Sequence, residues 1–270
     1  MNLTSPSQVK AWCIENGFHP NKVLGQNFLI DRNALVAIVD AGFAGRNPDG
    51  LDVLEIGPGL GVLTEEMLAR GARVTAIEKD PPLAARLADA LGNPAGLTVV
   101  EADALDWIAS NGSAHAFSCM VSNLPYQAGT RILLELVQRR EIPSMTVLVQ
   151  TEVAERLAAK EGSKTRGLAG VWAQLDYDVK IVRKVAASCF WPRPEIGSSV
   201  VTLARHGRNA GLSDRERALF HRITKQAFEH RRKQLGSIFR DVIQSTARAE
   251  ELSNDEWTAL VRDLAAAGVE

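Results

Sequence analysis

The sequence predicts an α/β fold: a mainly parallel sheet covered on both faces by helices, with a small α-helical domain after it. Three observations predict this. Short apolar runs rich in β-branched residues alternate with helical patterns as far as Ala204. A glycine-rich turn joins one of these runs to the helix after it. Beyond His206 the β-rich runs stop and helical patterns continue to the C-terminus.

The strands are expected at Asp52–Ile56, Arg73–Ile77, Thr98–Glu101, Phe117–Ser122 and Thr146–Gln150. Helices are expected between them at Leu63–Arg70, Pro82–Leu91 and Thr130–Arg140, with another running through Ala159. A helix around Leu168–Leu175 then precedes two β-rich runs, Asp178–Val185 and Ser198–Ala204. Gly207–Ala210 reads as a linker, and Ser213 as the N-cap of a helix reaching about His230. The expected domains are residues 1–206 and 207–270.

Hydrophobic residues make up 46% of the 270-residue chain and charged residues 23%, enough for a sizeable core and too apolar for a disordered chain. The net charge of -1 excludes a whole-protein attraction to polyanions, so a nucleic-acid surface has to be a local patch. Cys13, Cys119 and Cys189 are widely spaced and form no CxxC pair, which predicts buried free thiols in a reducing, cytoplasmic setting. No apolar stretch approaches the roughly 18 residues of a membrane span, and residues 1–10 lack the apolar run of a secretory signal. His19, His115, His206, His221 and His230 show no metal-ligand spacing, and no metal is expected.

The glycine turn reads Glu55-Ile56-Gly57-Pro58-Gly59-Leu60-Gly61. Glycines permit a tight turn and close backbone approach to a ligand. The third glycine comes one residue earlier than in a dinucleotide fingerprint, which favours a nucleoside without pyrophosphate. Glu78 ends the next strand, 21 residues after Gly57, where a carboxylate can accept both ribose hydroxyls. Asp103 follows the third strand, where it can accept from an adenine amino group. Each acid alone could be an ordinary loop residue; their recurrence at successive strand ends points to adenosine and hence to S-adenosylmethionine.

Asn123-Leu124-Pro125-Tyr126 follows the fourth strand. The proline biases Leu124 toward an extended conformation. The Asn123 side chain and the Leu124 carbonyl can then converge on one exocyclic amine. Two acceptors steer such an amine toward sp³ geometry and localise its lone pair, with no strong base required. Tyr126 offers a face on which a flipped base can stack.

These residues carry a resemblance. The chain resembles the KsgA-type ribosomal RNA adenine dimethyltransferases over nearly its whole length. The matching segments are Leu24-Gly25-Gln26-Asn27-Phe28-Leu29, the glycine turn, Asn123–Tyr126, Gln150–Leu157 with Ser163-Lys164, Phe190-x-Pro192-x-Pro194 with Ser198, and Ala227-Phe228-x-x-Arg231-Arg232-Lys233. The resemblance implies a Rossmann-like S-adenosylmethionine-dependent methyltransferase sheet domain and a helical RNA-binding domain. It also implies dimethylation at N6 of two adjacent adenines near the 3′ end of small-subunit rRNA, within a pre-ribosomal particle, by a monomer. It implies that Asn27, Leu29, Gly57, Gly59, Glu78, Asp103 and Asn123 contact the methyl donor. Asn123, Leu124 and Tyr126 would hold the target, with Phe190 on the other face of the adenine. One departure stands out: after the tyrosine the family pattern Asn-Ile-Ser-Thr-Pro is replaced by Gln127-Ala128-Gly129-Thr130-Arg131.

Between Arg217 and Arg240 seven basic residues face one acid, Glu229. This local charge, with Lys164, Arg166, Arg231, Arg232 and Lys233 as its expected RNA contacts, is the footprint of a phosphate-binding surface. A solvated helix face is the alternative for the cluster by itself. Four other functions compete: a large-subunit rRNA methyltransferase of the macrolide-resistance type, a non-catalytic nucleic-acid-binding factor, a small-molecule methyltransferase, and a DNA adenine methyltransferase, which would carry Pro-Pro after an Asp or Asn and against which Leu124 argues. The intact glycine turn and Asn123 disfavour the second, and the basic cluster disfavours the third.

Overall fold

The computed structural model describes residues 1–21, 24–111, 116–240 and 242–269. His115 lies outside the described residues. By contacts the chain forms two units, Met1–Ala154 with Lys180–Arg205, and Glu155–Val179 with His206–Glu270. The expected single division between residues 206 and 207 gives way to three, at 154/155, 179/180 and 205/206, so that the two units interleave along the chain. The cause is local: Val171 and Leu175 belong to the same apolar cluster as Leu219, Phe220 and Trp257.

The first unit opens with α1 (Pro6–Glu15), β1 (Phe28–Leu29) and α2 (Arg32–Phe43). Asp31 caps α2 by accepting from the Ala34 N–H at 2.7 Å. Then come β2 (Asp52–Ile56), α3 (Val62–Ala69), β3 (Arg73–Glu78), α4 (Pro81–Ala90), β4 (Leu97–Glu101), α5 (Ala104–Asn111), β5 (Cys119–Asn123), α6 (Gly129–Arg139) and β6 (Ser144–Gln150). After α7 (Thr151–Ala158) and α8 (Leu168–Asp176), β7 (Tyr177–Val185), β8 (Phe190–Trp191) and β9 (Ser198–Arg205) return to the sheet region.

The seven-stranded sheet has the order β4-β3-β2-β5-β6-β9-β7, and β1 pairs with β8 in a separate ribbon. Strands β2 to β6 are parallel. Their apolar runs follow from burial on both faces, most clearly in β5 and β6. The expected sheet gains an antiparallel member, since β9 runs against β6 from Ser144↔Ala204 to Gln150↔Ser198.

Chain order reverses between β2 and β5, and ligands of open α/β sheets bind at such a switch point. The two strands pair only at Val53↔Cys119 and Leu54↔Met120. Further on, the Ile56 N–H donates to the Ser122 hydroxyl at 2.9 Å instead. A side chain thus replaces the ladder, and a crevice opens at the carboxyl ends.

The second unit holds α8 together with α9 (Asp214–Glu229), α10 (Leu235–Ile238) and α11 (Asn254–Ala266). Both long helices begin with a capping box, Ser213/Glu216 and Ser253/Glu256. Each box stabilises its helix by about 1 kcal/mol. The expectation of helix to the C-terminus is corrected between α10 and α11. There the N–H groups of Leu235 and Gly236 donate to the carbonyls of Ala247 and Ser245, tying the segment into a loop. One thiol also differs from expectation: Cys13 and Cys119 are buried, whereas Cys189 is half-buried. Among the described residues no helix is long and apolar enough to cross a membrane.

Candidate active site

The turn after β2 enters the crevice. Gly57 and Gly59 have φ of 69° and 59°, in the left-handed region. At Gly59 a Cβ would also stand 3.1 Å from the Phe28 ring, so a side chain here would strain the backbone and require the ring to give way by a few tenths of an ångström. The Gly59 N–H donates to Glu78 Oε2 at 3.0 Å, and the Asp80 N–H to Glu78 Oε1 at 2.9 Å. Burial raises the Glu78 carboxyl above its ordinary range against the lowering effect of these bonds. Each carboxylate oxygen still has a lone pair for a ligand hydroxyl.

Asp103 follows β4 and ion-pairs with Lys79 at 2.7 Å. The Lys79 hydrogen bond holds its carboxyl below the usual range. Its other oxygen accepts from the Leu105 N–H at 2.8 Å.

The segment before β1 closes the crevice from another side. Gln26 donates to Asp80 Oδ2 at 2.6 Å, which ties the loop to the start of α4. Asn123, at the end of β5, donates through Nδ2 to the Asn27 carbonyl at 3.2 Å. That bond fixes the amide so that Oδ1, which has no partner among the described residues, is left as an acceptor. The Tyr126 and Ser198 hydroxyls are 2.7 Å apart, which holds the ring in place.

These groups line one pocket of about 200 Å³. It brings together Asn27, Leu29, Gly57, Gly59, Glu78 and Asp103 with Asn123, Leu124 and Tyr126. Phe190 departs from the expectation: its side chain is 2% exposed, packs in the apolar core and does not line the pocket. The cause is its place in β8, in register with Leu29 of β1.

Arg166 also departs from the expectation. It is 1% exposed, and its guanidinium donates to the Ala159 carbonyl and to Asn254 Oδ1 at 2.8 Å, which makes it a structural cation. Arg217 is likewise buried, against Asp176. Arg231 donates to the Lys164 carbonyl at 2.6 Å and is half-buried. Lys164, Arg232 and Lys233 are exposed. The basic surface is therefore smaller than the sequence count. Among the described residues no group of three or more His, Cys, Asp or Glu side chains is placed to hold a metal ion.

Sequence reasoning missed Glu55. It is 1% exposed, lines the pocket and accepts from the Thr64 hydroxyl at 2.6 Å. Burial pushes its carboxyl up to about 8. An acid flanked by the apolar residues Val53, Leu54 and Ile56 was the available signal. The folded protein therefore holds a proton that an unfolded carboxyl, near 4.5, has already lost. The stability this contributes is present below 4.5 and fades as pH rises through about 8. Between these limits the loss is at most about 1.4 kcal/mol per pH unit. Glu55→Gln removes the titration, so wild-type stability is expected to fall relative to the variant from pH 5.5 to 8.5. Urea unfolding of both proteins across that range checks this, and parallel curves would refute it.

The pocket fits S-adenosylmethionine in the nature of its groups: a buried two-oxygen acceptor at Glu78, a glycine-rich turn, a second acid at Asp103, and apolar side chains such as Leu29, Ile77 and Leu83. Such a pocket, at the switch point of a sheet with an antiparallel strand near its edge, defines a class, the S-adenosylmethionine-dependent methyltransferases. The comparisons then narrow the class. Residues 17–261 match the family model described as ribosomal RNA adenine dimethylase. The chain belongs to that family.

A relative from Deinococcus radiodurans, named ribosomal RNA small subunit methyltransferase A, is 47% identical over 203 residues, 74% of this chain and 67% of that protein. One of the same name from Bifidobacterium longum is 35% identical over 99% of this chain and 95% of its own length. Among solved structures, a dimethyladenosine transferase from Plasmodium falciparum shares the fold with a TM-score of 0.76 at 21% identity, covering 89% of this chain and 98% of that one. The 23S rRNA methyltransferase ErmE matches with a TM-score of 0.67 at 25% identity, covering 88% and 100%.

Proposed function

We propose that this enzyme dimethylates N6 of two adjacent adenines near the 3′ end of small-subunit rRNA, within a pre-ribosomal particle. The observation that carries the reading is the Asn123–Tyr126 turn on the wall of the pocket that holds Glu78 and the glycine turn. The choice of the small subunit is supported by the names of the relatives from Deinococcus radiodurans and Bifidobacterium longum. Work on ribosomal RNA also favours a cytoplasmic setting.

Asn27, Leu29, Gly57, Gly59, Glu78 and Asp103 would hold the methyl donor, which supplies an activated methyl group when bound. Asn123 Oδ1 and the Leu124 carbonyl accept from the adenine amino group and turn its lone pair out of the ring plane. Tyr126 supports the base. No residue has to remove a proton beforehand, since the nitrogen becomes positively charged when it gains the methyl group and then loses a proton to solvent. Lys164, Arg232 and Lys233 lie against phosphates, without base selectivity. Arg231, anchored on the Lys164 carbonyl, braces that surface.

The test is transfer of labelled methyl groups to small ribosomal subunits that lack the modification, with large subunits and duplex DNA alongside. N6,N6-dimethyladenosine on small-subunit RNA alone is the expected result. Label confined to large subunits would move the enzyme to the type represented by ErmE.

A further inference from the structure

The Tyr126 ring is anchored at its far end by a residue with no task in the transfer proposed above. Ser198 is the first residue of β9 and is fully buried. Its strand is pinned where it stands. Ser198 pairs with Gln150 at the end of β6. Beside it, the Thr151 N–H donates to the Gly197 carbonyl at 3.0 Å, and the Thr151 and Ser199 hydroxyls are 3.1 Å apart. Tyr126 lies in the turn between β5 and α6, is half-buried and lines the pocket. Its hydroxyl has one partner among the described residues, the Ser198 hydroxyl at 2.7 Å. Burial raises the phenol above its ordinary value, against the lowering effect of that bond, so the hydroxyl is neutral at neutral pH. A side chain of a turn is thus tied by its tip to a fixed strand of the sheet.

We propose that Ser198 is a positioning residue: its hydroxyl ties the Tyr126 ring to the sheet and so keeps the place of the target base open. The inference rests on the reading of the Asn123–Tyr126 turn given above. A phenol hydroxyl that loses its partner is unfavourable to leave buried, and the pocket that Tyr126 lines is where it can reach water. Without the Ser198 hydroxyl the ring therefore swings into the pocket and fills the space in which the base must stack. A ring that carries no hydroxyl has no such drive. The two hydroxyls form a matched pair, so losing the one on Ser198 alone does more harm than losing both.

Ser198→Ala, Tyr126→Phe and the double variant test this in single-turnover transfer to unmodified small subunits, with donor affinity by calorimetry. The expected result is a loss of about tenfold for Ser198→Ala, a loss of about threefold for Tyr126→Phe, and a double variant within about twofold of Tyr126→Phe. Donor affinity is unchanged in all three. Ser198→Ala within about twofold of wild type would overturn the proposal. So would a double variant as slow as Ser198→Ala, or losses that follow donor affinity, since removing a second hydroxyl does not repair a merely structural defect. A second readout needs no substrate. The chain has two tyrosines, Tyr126 and Tyr177, so fluorotyrosine labelling gives two fluorine resonances, and Tyr126→Phe assigns them. Ser198→Ala is expected to move the Tyr126 resonance toward its solvent-exposed position and to leave that of Tyr177 in place; an unmoved Tyr126 resonance would overturn the proposal. If Ser198→Ala does not fold, Ser198→Cys decides. It puts a weak hydrogen-bonding thiol in place of the hydroxyl and is expected to lose rate that Tyr126→Phe restores; no loss, or no restoration, would overturn the proposal. The wild-type control separates the two readings. Failure of wild type to dimethylate small subunits refutes the proposed function, whereas normal dimethylation by all variants refutes only the role of Ser198.

Discussion

Asn123→Ala is expected to lower the rate of methyl transfer by about 10²–10³-fold, the usual loss when one preorganised polar group at a reacting centre is removed. The amide is held by the Asn27 carbonyl at 3.2 Å, so its oxygen needs no rearrangement when the amine arrives. The variant leaves the Leu124 carbonyl as the remaining acceptor and removes the one that Asn27 holds ready. Single-turnover transfer to unmodified small subunits measures the effect. Thermal unfolding should be nearly unchanged, because the lost bond is a single partly buried one. A rate within about tenfold of wild type would show that Leu124 alone positions the amine.

Arg217→Ala is expected to destabilise the protein by about 3–5 kcal/mol. The guanidinium meets Asp176 with two hydrogen bonds, at 2.7 and 3.2 Å, and also donates to the Asn209 carbonyl at 2.5 Å. Removing it leaves a buried carboxylate without its counterion. Breaking such a pair costs far more than the pair itself contributes, because the stranded charge stays desolvated. Adding Asp176→Leu to the variant should therefore recover part of the loss. Urea unfolding of the two variants tests both statements, and a loss under about 1 kcal/mol would place Asp176 in contact with water.

The same arginine shows where sequence reasoning ends. As a letter in the chain it belonged to a cationic cluster; its partner stands 41 residues away and only the fold reveals it. Arg166 is alike, with Asn254 at a separation of 88 residues. Charge counted along a sequence does not distinguish a phosphate contact from a counterion in the core.

The parallel strands were legible because burial on both faces gives continuous apolar runs. The ribbon of β1 and β8 was not, since two residues carry no periodicity. Helix α2 went unread although Asp31 and the apolar spacing of Leu35, Ile38 and Val39 announce it. At the site, the glycines and Glu78 were legible because backbone geometry and strand-end position restrict the residue type. The burial of Phe190 was not, because a two-residue pairing decides it.

Neither unit of this protein is a continuous stretch of chain. Synthesis runs from the N-terminus, so α8 is made well before α9 and α11, with which its apolar face shares a cluster. Until those helices emerge, Val171 and Leu175 stay in water and Asp176 has no counterion. The chain thus passes through a length at which the nascent protein is sticky. Removing everything after residue 206 would leave it there permanently, since the excision would take the partners and spare the surface they cover. Three cuts and a rejoining of ends would be needed to obtain either half as a free-standing piece.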